Sequence, residues 1–406
     1  MTTHQQLRIH RRKRWKKFLA YADDTTILAS IKVGKEYETL RKYEKRKKQR
    51  YETKKRQTRN STLNQHIPST IPIFNNHGRL VIPSPLDFEN NIGNIGKLTQ
   101  LIDKHINSSD SKKMIDHSHI KSISIGGLLY LVGQMSKVFY RPQGFQKKTK
   151  YNKRNGLKSD DRIKYLFYKI GYWKYFDIHK PYPLPAIKDN YFLQMQTNTK
   201  PDFEYLNTIK DFIKANVDLI PEDSYKIEYQ FDDAVKEAMA NSTEHAYPDS
   251  FDEQRRKKGK WWICGHYDNL TKSLEIVFYD YGIGMQESTK RNLGEDAKRA
   301  FWDKARDKVK SDGEIIAIAV DGELSKYKNY KDHDRGKGFR RFKEFAKGTN
   351  YNCILTIASD KGKYKYEYDS VKKQETISTS KLPHKIEGML IKWALTIKRK
   401  GNNNDV

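Results

Sequence analysis

The stretch VFYDYGIGM, residues 277–285, decides the fold of this 406-residue chain. Its apolar start predicts a buried strand that delivers the carboxylate of Asp280 to one end of a sheet. Gly282 and Gly284 follow at alternate positions, and glycine lets a backbone turn tightly and approach a ligand closely. We therefore interpret the stretch as one part of a ligand-binding site.

A second part of this site is predicted in KEAMANSTEHAY, residues 236–247. Glu237, Asn241 and His245 are spaced by four residues, so on a helix their side chains share one face. A carboxylate and a carboxamide one turn apart can serve a water molecule and a metal ion. We expect His245 to have a structural role near the end of this helix.

The third part is DRGKGFRRFKEFA, residues 334–346. Gly336 and Gly338 flank Lys337 immediately before a predicted helix. Free backbone amides and the start of a helix attract an anion such as phosphate. Each of the three motifs is weak alone, and their order along the chain makes the combination specific.

In this order, the motifs resemble those of the gyrase, chaperone, histidine-kinase and mismatch-repair (GHKL) ATPase superfamily over residues 205–398. The resemblance implies a Bergerat α/β sandwich that holds Mg-ATP. By position, Glu237 would activate water, Asn241 would bind Mg²⁺, and Asp280 would accept from the adenine amino group. The remaining predicted nucleotide-binding residues surround the three motifs and are Gly282, Gly284, Met285, Arg335, Gly336, Lys337 and Gly338.

Two features depart from the family pattern. The last strand usually carries Gly-Thr, whereas this chain has Gly388-Met389, so the hydroxyl group beside the adenine-binding acid is missing. The segment between Met285 and Arg335 is also long. We predict that it contains a helix in DGEIIAIAVDGELS and forms a mobile lid that orders over ATP.

A weaker resemblance concerns the preceding module, where KMIDHSHIKSIS and IGGLLYLVGQM predict a buried strand followed by a helix. This pattern resembles STAS-like domains, in which a regulatory serine begins the helix. Gly126 stands at that place here, with Ser124 close to it. His117 and His119 alternate on the predicted strand, but no third metal ligand is nearby in sequence.

The predicted fold class is therefore α/β, with a mixed sheet that carries helices on one face and a smaller STAS-like α/β domain before it. The predicted divisions are a basic helical or disordered arm (1–60), a linker (61–79), the STAS-like domain (80–200), the ATP-binding domain (205–398) and a tail (399–406).

Charge is the strongest signal of composition. The chain has 79 Lys and Arg against 50 Asp and Glu, a net charge of +29, and about half of this excess falls between Arg8 and Arg59. Residues 8–59 could bind nucleic acid through this charge, or form a solvated basic arm. Two distant cysteines and the absence of a long apolar run predict a cytoplasmic protein with no membrane contact.

The stretch FLAYADDTTILAS, residues 18–30, contains the Tyr-Ala-Asp-Asp sequence of a reverse transcriptase palm. A polymerase site needs a further aspartate on a neighbouring strand. In reverse transcriptases this aspartate comes earlier in the chain, and none of the twenty residues before Tyr21 is acidic. We interpret this match as accidental.

The leading functional hypothesis is a regulatory ATPase that hydrolyses Mg-ATP and uses its lid to control a partner protein or a nucleic-acid contact, in a setting such as anti-phage defence. A homodimer is compatible with this hypothesis. Two alternatives stay open at this point: a protein serine kinase of the anti-sigma type, and a nucleic-acid-binding protein with an incidental nucleotide site.

Overall fold

The structure is a computed structural model, and it divides the chain into two compact units, residues 1–71 and 72–406. It describes residues 80–89, 91–107, 115–117, 119–139, 161–172, 189–217, 219, 221–248, 261–292, 311–321, 338–345, 347 and 349–396, all in the second unit. The predicted arm, the predicted linker, the tail and the segment Arg335–Lys337 lie outside the described residues.

The described ranges contain helices and strands in mixed order, which confirms the α/β class. The helices are α1 (Ile92–Asn107), α2 (Ile125–Phe139), α3 (Asp161–Ile170), α4 (Phe203–Asn216), α5 (Pro221–Glu244), α6 (Met285–Asn292), α7 (Asp312–Val320) and α8 (Gly338–Glu344). The strands are β1 (Leu80–Val81), β2 (Ile115–Asp116), β3 (Asn190–Asn198), β4 (Trp261–Asp268), β5 (Ser273–Asp280), β6 (Asn352–Asp369) and β7 (Gln374–Thr396).

Five strands form one sheet in the order β3-β4-β5-β7-β6, and every neighbouring pair in it is antiparallel. The prediction of a mixed sheet is therefore wrong. The reason lies in two tight turns, at 269–272 and 370–373, which join β4 to β5 and β6 to β7. Lys272 and Lys373 each adopt a φ of 53° in these turns. Short turns of this kind join only antiparallel strands.

One face of the sheet, called the α5 face below, carries Phe278 and Trp393 and is covered by helices α4, α5, α7 and α8. Side chains alternate along a strand, so Asp280 projects toward the same face as Phe278. Asp280 is the last residue of β5 and lies opposite Met389 of β7. The strand pattern thus brings the predicted acid to the end of this face.

The opposite face, called the α2 face below, carries Trp262 and Tyr279 and is covered by helices α1, α2 and α3. Gly133 of α2 lies so close to the Tyr279 ring that a Cβ atom at position 133 would stand 2.2 Å from Cε1. The prediction of helices on one face is incomplete, because helices from residues 92–170 cover the second face. The sheet is therefore the middle of three layers.

Short parallel pairings precede this sheet. Strands β1 and β2 pair in parallel, and Leu86 and Ile123 form a further parallel bridge. Strand β3, which lies within the predicted 80–200 domain, pairs with β4 of the later segment. The segment predicted as a STAS-like module thus shares its hydrophobic cluster with the five-stranded sheet.

The predicted lid between Met285 and Arg335 contains helix α7, as the sequence pattern indicates. Its residues Ile316, Ala319 and Val320 are buried in the core of the α5 face. Helix α7 therefore belongs to the core and not to a mobile cover. The rest of the predicted lid, residues 293–310 and 322–334, lies outside the described residues.

Candidate functional site

Helix α5 presents the first pair of predicted site residues. Asn241 donates from Nδ2 to Oε1 of Glu237 over 3.1 Å, as expected for neighbours one helical turn apart. Ala238 and Met239 of the same helix are fully buried and anchor it to the sheet. The core therefore holds the polar face of α5 in a defined orientation.

Helix α8 lies across from this pair. Arg341 Nη1 stands 4.0 Å from Oε2 of Glu237, whose side chain is only 23% exposed. Burial raises the pKa of Glu237, while the Arg341 guanidinium and the Asn241 amide partly offset that rise. Gly338 begins α8 one turn before Arg341, so the third motif enters its helix beside the first pair.

Asp280 forms the second part of the site at the end of β5. Its carboxyl group is 2% exposed, and Oδ1 accepts a 2.9 Å hydrogen bond from the backbone N–H of Gly282. Burial raises the pKa of Asp280 to about 7, although the N–H groups of Gly282 and Met389 donate to the carboxyl and oppose the shift. Near neutral pH this group can therefore exchange a proton.

Gly282 joins the end of β5 to the end of α5. A Cβ atom at position 282 would stand 2.6 Å from the backbone oxygen of Ala246, which follows helix α5. The same oxygen accepts a 2.9 Å hydrogen bond from the N–H of Ile283. A side chain at 282 would push the two segments apart. This observation gives a physical reason for the first glycine of the motif.

Gly284 and Met285 pack against the bend of strand β6. Gly284 adopts a φ of 83°, and a Cβ atom there would stand 2.7 Å from Oδ2 of Asp360. The N–H of Met285 donates over 2.8 Å to Oγ of Ser359, and the N–H of Gln286 donates to Oδ2 of Asp360. Ser359 and Asp360 thus hold the loop that follows Asp280.

Ser359 also reaches the strand that departs from the family pattern. Its Oγ donates to the backbone oxygen of Gly388 over 2.7 Å, one residue before Met389. Gly388 adopts a φ of 77°, and a Cβ atom there would stand 1.9 Å from the backbone oxygen of Asp280. A buried hydroxyl group is therefore present near Asp280, but β6 supplies it and β7 does not.

Sequence reasoning missed Ser359 and Asp360. Both are buried at the point where the apolar strand NCILTIASD ends, at 1% and 5% exposure. Asp360 adopts a φ of 53°, and the pairing of β6 with β7 shifts there. The available signal was a polar pair directly after a run of buried apolar residues. Asp280 follows the apolar residues of β5 in the same way.

The two histidines of DHSH lie in different environments. His117 is buried, and its Nε2 lies 2.7 Å from the Tyr172 hydroxyl, whereas His119 is exposed. Burial lowers the pKa of His117 to about 4. Among the residues that the structure describes, no group of three acidic, histidine or cysteine side chains is arranged to hold a metal ion. His117 therefore has a packing role.

The predicted residues fall into two sets. Seven lie on α5, on α8, at the end of β5 or between β5 and the start of α6, and all of these elements contact the α5 face: Glu237, Asn241, Asp280, Gly282, Gly284, Met285 and Gly338. Arg335, Gly336 and Lys337 lie outside the described residues. His245 follows α5, where its N–H donates to the backbone oxygen of Asn241 over 3.0 Å.

No protein-family model matches this chain, and no curated protein matches it. In the described part of the chain, no helix combines the length and the apolar character that crossing a membrane requires. The proposed function therefore depends on the geometry of the site.

Proposed function

We propose that this protein binds Mg-ATP on the α5 face and hydrolyses it with a site of the GHKL type. One observation carries the proposal: the segments of all three motifs meet at helix α5. Arg341 of α8 approaches Glu237 to 4.0 Å, and Gly282 packs against Ala246 just beyond the end of the helix. These contacts join motifs that are separated by about a hundred residues.

Asp280 supports the adenine end of the proposal. A buried carboxylate can accept from the exocyclic amino group of adenine, and guanine presents a carbonyl group there. Because burial keeps the pKa of Asp280 near 7, a ligand that donates to this carboxyl stabilises its charged form. Ser359 supports the geometry, since its hydroxyl group ties Met285 to Gly388 on both sides of Asp280.

Glu237 and Asn241 support the phosphate end. A raised pKa makes the Glu237 carboxylate a better proton acceptor, which suits activation of a water molecule. Asn241 uses its Nδ2 to donate to Glu237, which leaves its amide oxygen as the atom that could bind a cation. Amide and carboxylate oxygens are ligands that Mg²⁺ accepts.

These residues therefore fit a magnesium nucleotide. When bound, Mg²⁺ would neutralise phosphate charge during transfer to water. Glu237 would hold the proton of the attacking water at its carboxylate, while Asn241 keeps that carboxylate oriented through the 3.1 Å bond. The activity would control a partner protein by favouring one of two conformations, with hydrolysis as the reset.

The test measures ATP binding by calorimetry and phosphate release without any added protein. Glu237→Ala is expected to keep binding and to lose turnover by about 10²-fold or more, because a general base contributes that much. Asp280→Asn is expected to weaken binding by about tenfold or more, because an amide presents a donor toward the adenine amino group.

Two matched variants control for nonspecific damage. Asp233→Ala changes an exposed acid on the same helix, and Asp268→Asn changes the acid that ends β4. Both are expected to behave like the unaltered protein. If Glu237→Ala and Asp280→Asn do so as well, the site assignment is wrong. If labelled phosphate appears only on a second protein, the kinase alternative replaces hydrolysis.

A further inference from the structure

The outer half of the β6–β7 hairpin presents an open strand edge. Strand β5 pairs with β7 only at residues 389–396, whereas residues 374–381 pair with β6 alone among the described strands. In this outer segment, called the 374–381 edge below, every residue except Thr379 is exposed. Its outward backbone groups are therefore available to another strand.

The 374–381 edge lacks most devices that protect natural edges from pairing. Its register against β6 is continuous from Gly362 to Asp369, so no bulge interrupts it. Proline appears only at position 383, after the edge. Ile377 is 45% exposed at the centre, between Thr376 and Thr379, and β-branched residues favour strand pairing.

Charges at the two ends of the edge have opposite signs, with Glu375 near one end and Lys381 at the other. A single sign of charge would repel a second copy of the same edge. Opposite signs instead favour antiparallel self-pairing, because each end then meets the opposite end of the partner.

Symmetry limits the registers that two copies can adopt. In a two-fold antiparallel pair, one residue lies on the axis and faces its own copy, and residues equally distant from it face each other. With Ser378 on the axis, Glu375 faces Lys381 twice. With Ile377 on the axis, Lys373 would face Lys381, and like charges directly opposite are unfavourable. With Thr379 on the axis, Glu375 would face Pro383.

We propose that the 374–381 edge binds a second copy of this chain as an antiparallel two-fold strand pair with Ser378 on the axis. On one face of the joined sheet, Ile377 of each copy packs against Thr379 of the other. On the opposite face, Thr376 of each copy lies opposite Ser380 of the other. The two Glu375–Lys381 contacts favour this register over the neighbouring ones centred on Ile377 and Thr379.

The existing contacts of Glu375 do not prevent this pairing. Its side chain is 32% exposed, lies 2.9 Å from Lys347, which is 67% exposed, and also interacts with Tyr366. A largely exposed ion pair contributes little to stability, so Glu375 can exchange Lys347 for Lys381 at small cost. Seven paired residues bury less area than a permanent dimer requires, and we expect a reversible dimer.

Disulfide capture in the full chain tests the register. Opposite Cα atoms in an antiparallel pair lie about 4.5 to 5.5 Å apart, which a disulfide can span. Ser378→Cys is therefore expected to form a covalent dimer under mild oxidation. The native Cys264 and Cys353 are both buried and free, so the unaltered protein is the blank.

Thr376→Cys is the matched control, because its two copies would be offset by about 14 Å along the strands. It is expected to form no covalent dimer when oxidised alone and to cross-link when mixed with Ser380→Cys. If Thr376→Cys alone cross-links as fast as Ser378→Cys, or if neither does at high protein concentration, the proposal is overturned.

Charge reversal tests the pairing without cysteine. Glu375→Lys and Lys381→Glu are each expected to weaken dimerisation about tenfold in sedimentation equilibrium, and the double reversal is expected to restore it. A double variant as weak as the single variants, or an unaltered protein that is monomeric at all concentrations, would refute the two-fold edge.

Discussion

The two faces of the sheet bury polar groups in different ways. On the α2 face, two buried polar groups have side-chain partners: Tyr279 accepts from Gln134 at 2.8 Å, and Lys392 pairs with Glu275 and Glu89. At the end of the α5 face, the buried acid Asp280 instead accepts hydrogen bonds from backbone N–H groups, and no cation among the described residues pairs with it.

This difference indicates that the side-chain pairs on the α2 face serve packing, whereas a buried acid such as Asp280 is suited to chemistry. A buried acid held only by backbone groups is costly to keep charged, and such cost is common at functional sites. The Gln134–Tyr279 bond attaches helix α2 to the sheet, and Lys392 attaches the segment that carries Glu89. The α5 face holds acids with raised pKa values together with the positive-φ turn at Gly284 and the bend at Asp360.

The largest expected effect tests whether both faces belong to one cooperative core. Phe278 and Tyr279 are adjacent on β5 and point to opposite faces. Replacing either by alanine is expected to lower the free energy of unfolding by about 3 to 5 kcal/mol, because each leaves a large cavity. Urea unfolding followed by circular dichroism and fluorescence measures both.

Both variants are expected to unfold in a single transition. The slope of their free energy of unfolding against urea concentration should equal that of the unaltered protein. Tyr191→Ala is the control, since this aromatic on β3 is 40% exposed and its loss should cost far less. A separate early transition in Tyr279→Ala alone would mean that helices α1 to α3 fold as their own domain, and the shared core would then be refuted.

A smaller effect concerns the acid that distinguishes the α5 face. Because buried Asp280 keeps its proton up to about pH 7, the folded state binds more protons than the unfolded chain between pH 4 and 7. Stability is therefore expected to fall as pH rises through this window, by up to about 4 kcal/mol for a shift of about three pH units.

Asp280→Asn removes this titration. The unaltered protein should therefore lose stability relative to the variant as pH rises from 4 to 7. Thermal unfolding across this range measures it, and Asp233→Asn, an exposed acid on α5, should leave the pH dependence unchanged. Parallel pH profiles for the unaltered protein and Asp280→Asn would show that Asp280 is not buried as described.

Local patterns in the sequence predicted the parts of the α5 face well. Helix α5, strand β5 and helix α7 follow from the periodicity of their apolar residues, which depends only on neighbours in the chain. The role of Gly282 also followed from its spacing, although its partner Ala246 did not. The spacing of the glycines in the motif indicates that the turn is tight, but only the fold shows which residues the turn packs against.

The α2 face could not be predicted in the same way. Every residue from Ile125 to Ser136 is buried, so periodicity identifies no single apolar face of helix α2. Its partner Tyr279 comes about 150 residues later, at a distance in sequence that periodicity cannot bridge. The prediction of a STAS-like domain over residues 80–200 was made without this contact, and Ser359 and Asp360 were missed because strand β6 bends.

The smallest expected effect compares two glycines with similar positive φ angles, one near each face. Gly388 has a φ of 77°, and Gly171, which follows helix α3 of the α2 face, has a φ of 89°. Alanine is strained at either position, at a cost of about 1 kcal/mol. A Cβ atom at 171 would meet nothing within 4 Å, whereas one at 388 would stand 1.9 Å from the backbone oxygen of Asp280.

Gly388→Ala is therefore expected to lose about 3 kcal/mol in urea unfolding, and Gly171→Ala only about 1 kcal/mol. The excess measures the close approach of β7 to the end of β5, which positions the Asp280 carboxyl. Since backbone atoms on both strands would have to move, the variant is also expected to weaken the proposed ATP binding, like Asp280→Asn. Equal losses at 388 and 171 would mean that strain alone explains both glycines and that the end of the α5 face is not tightly packed.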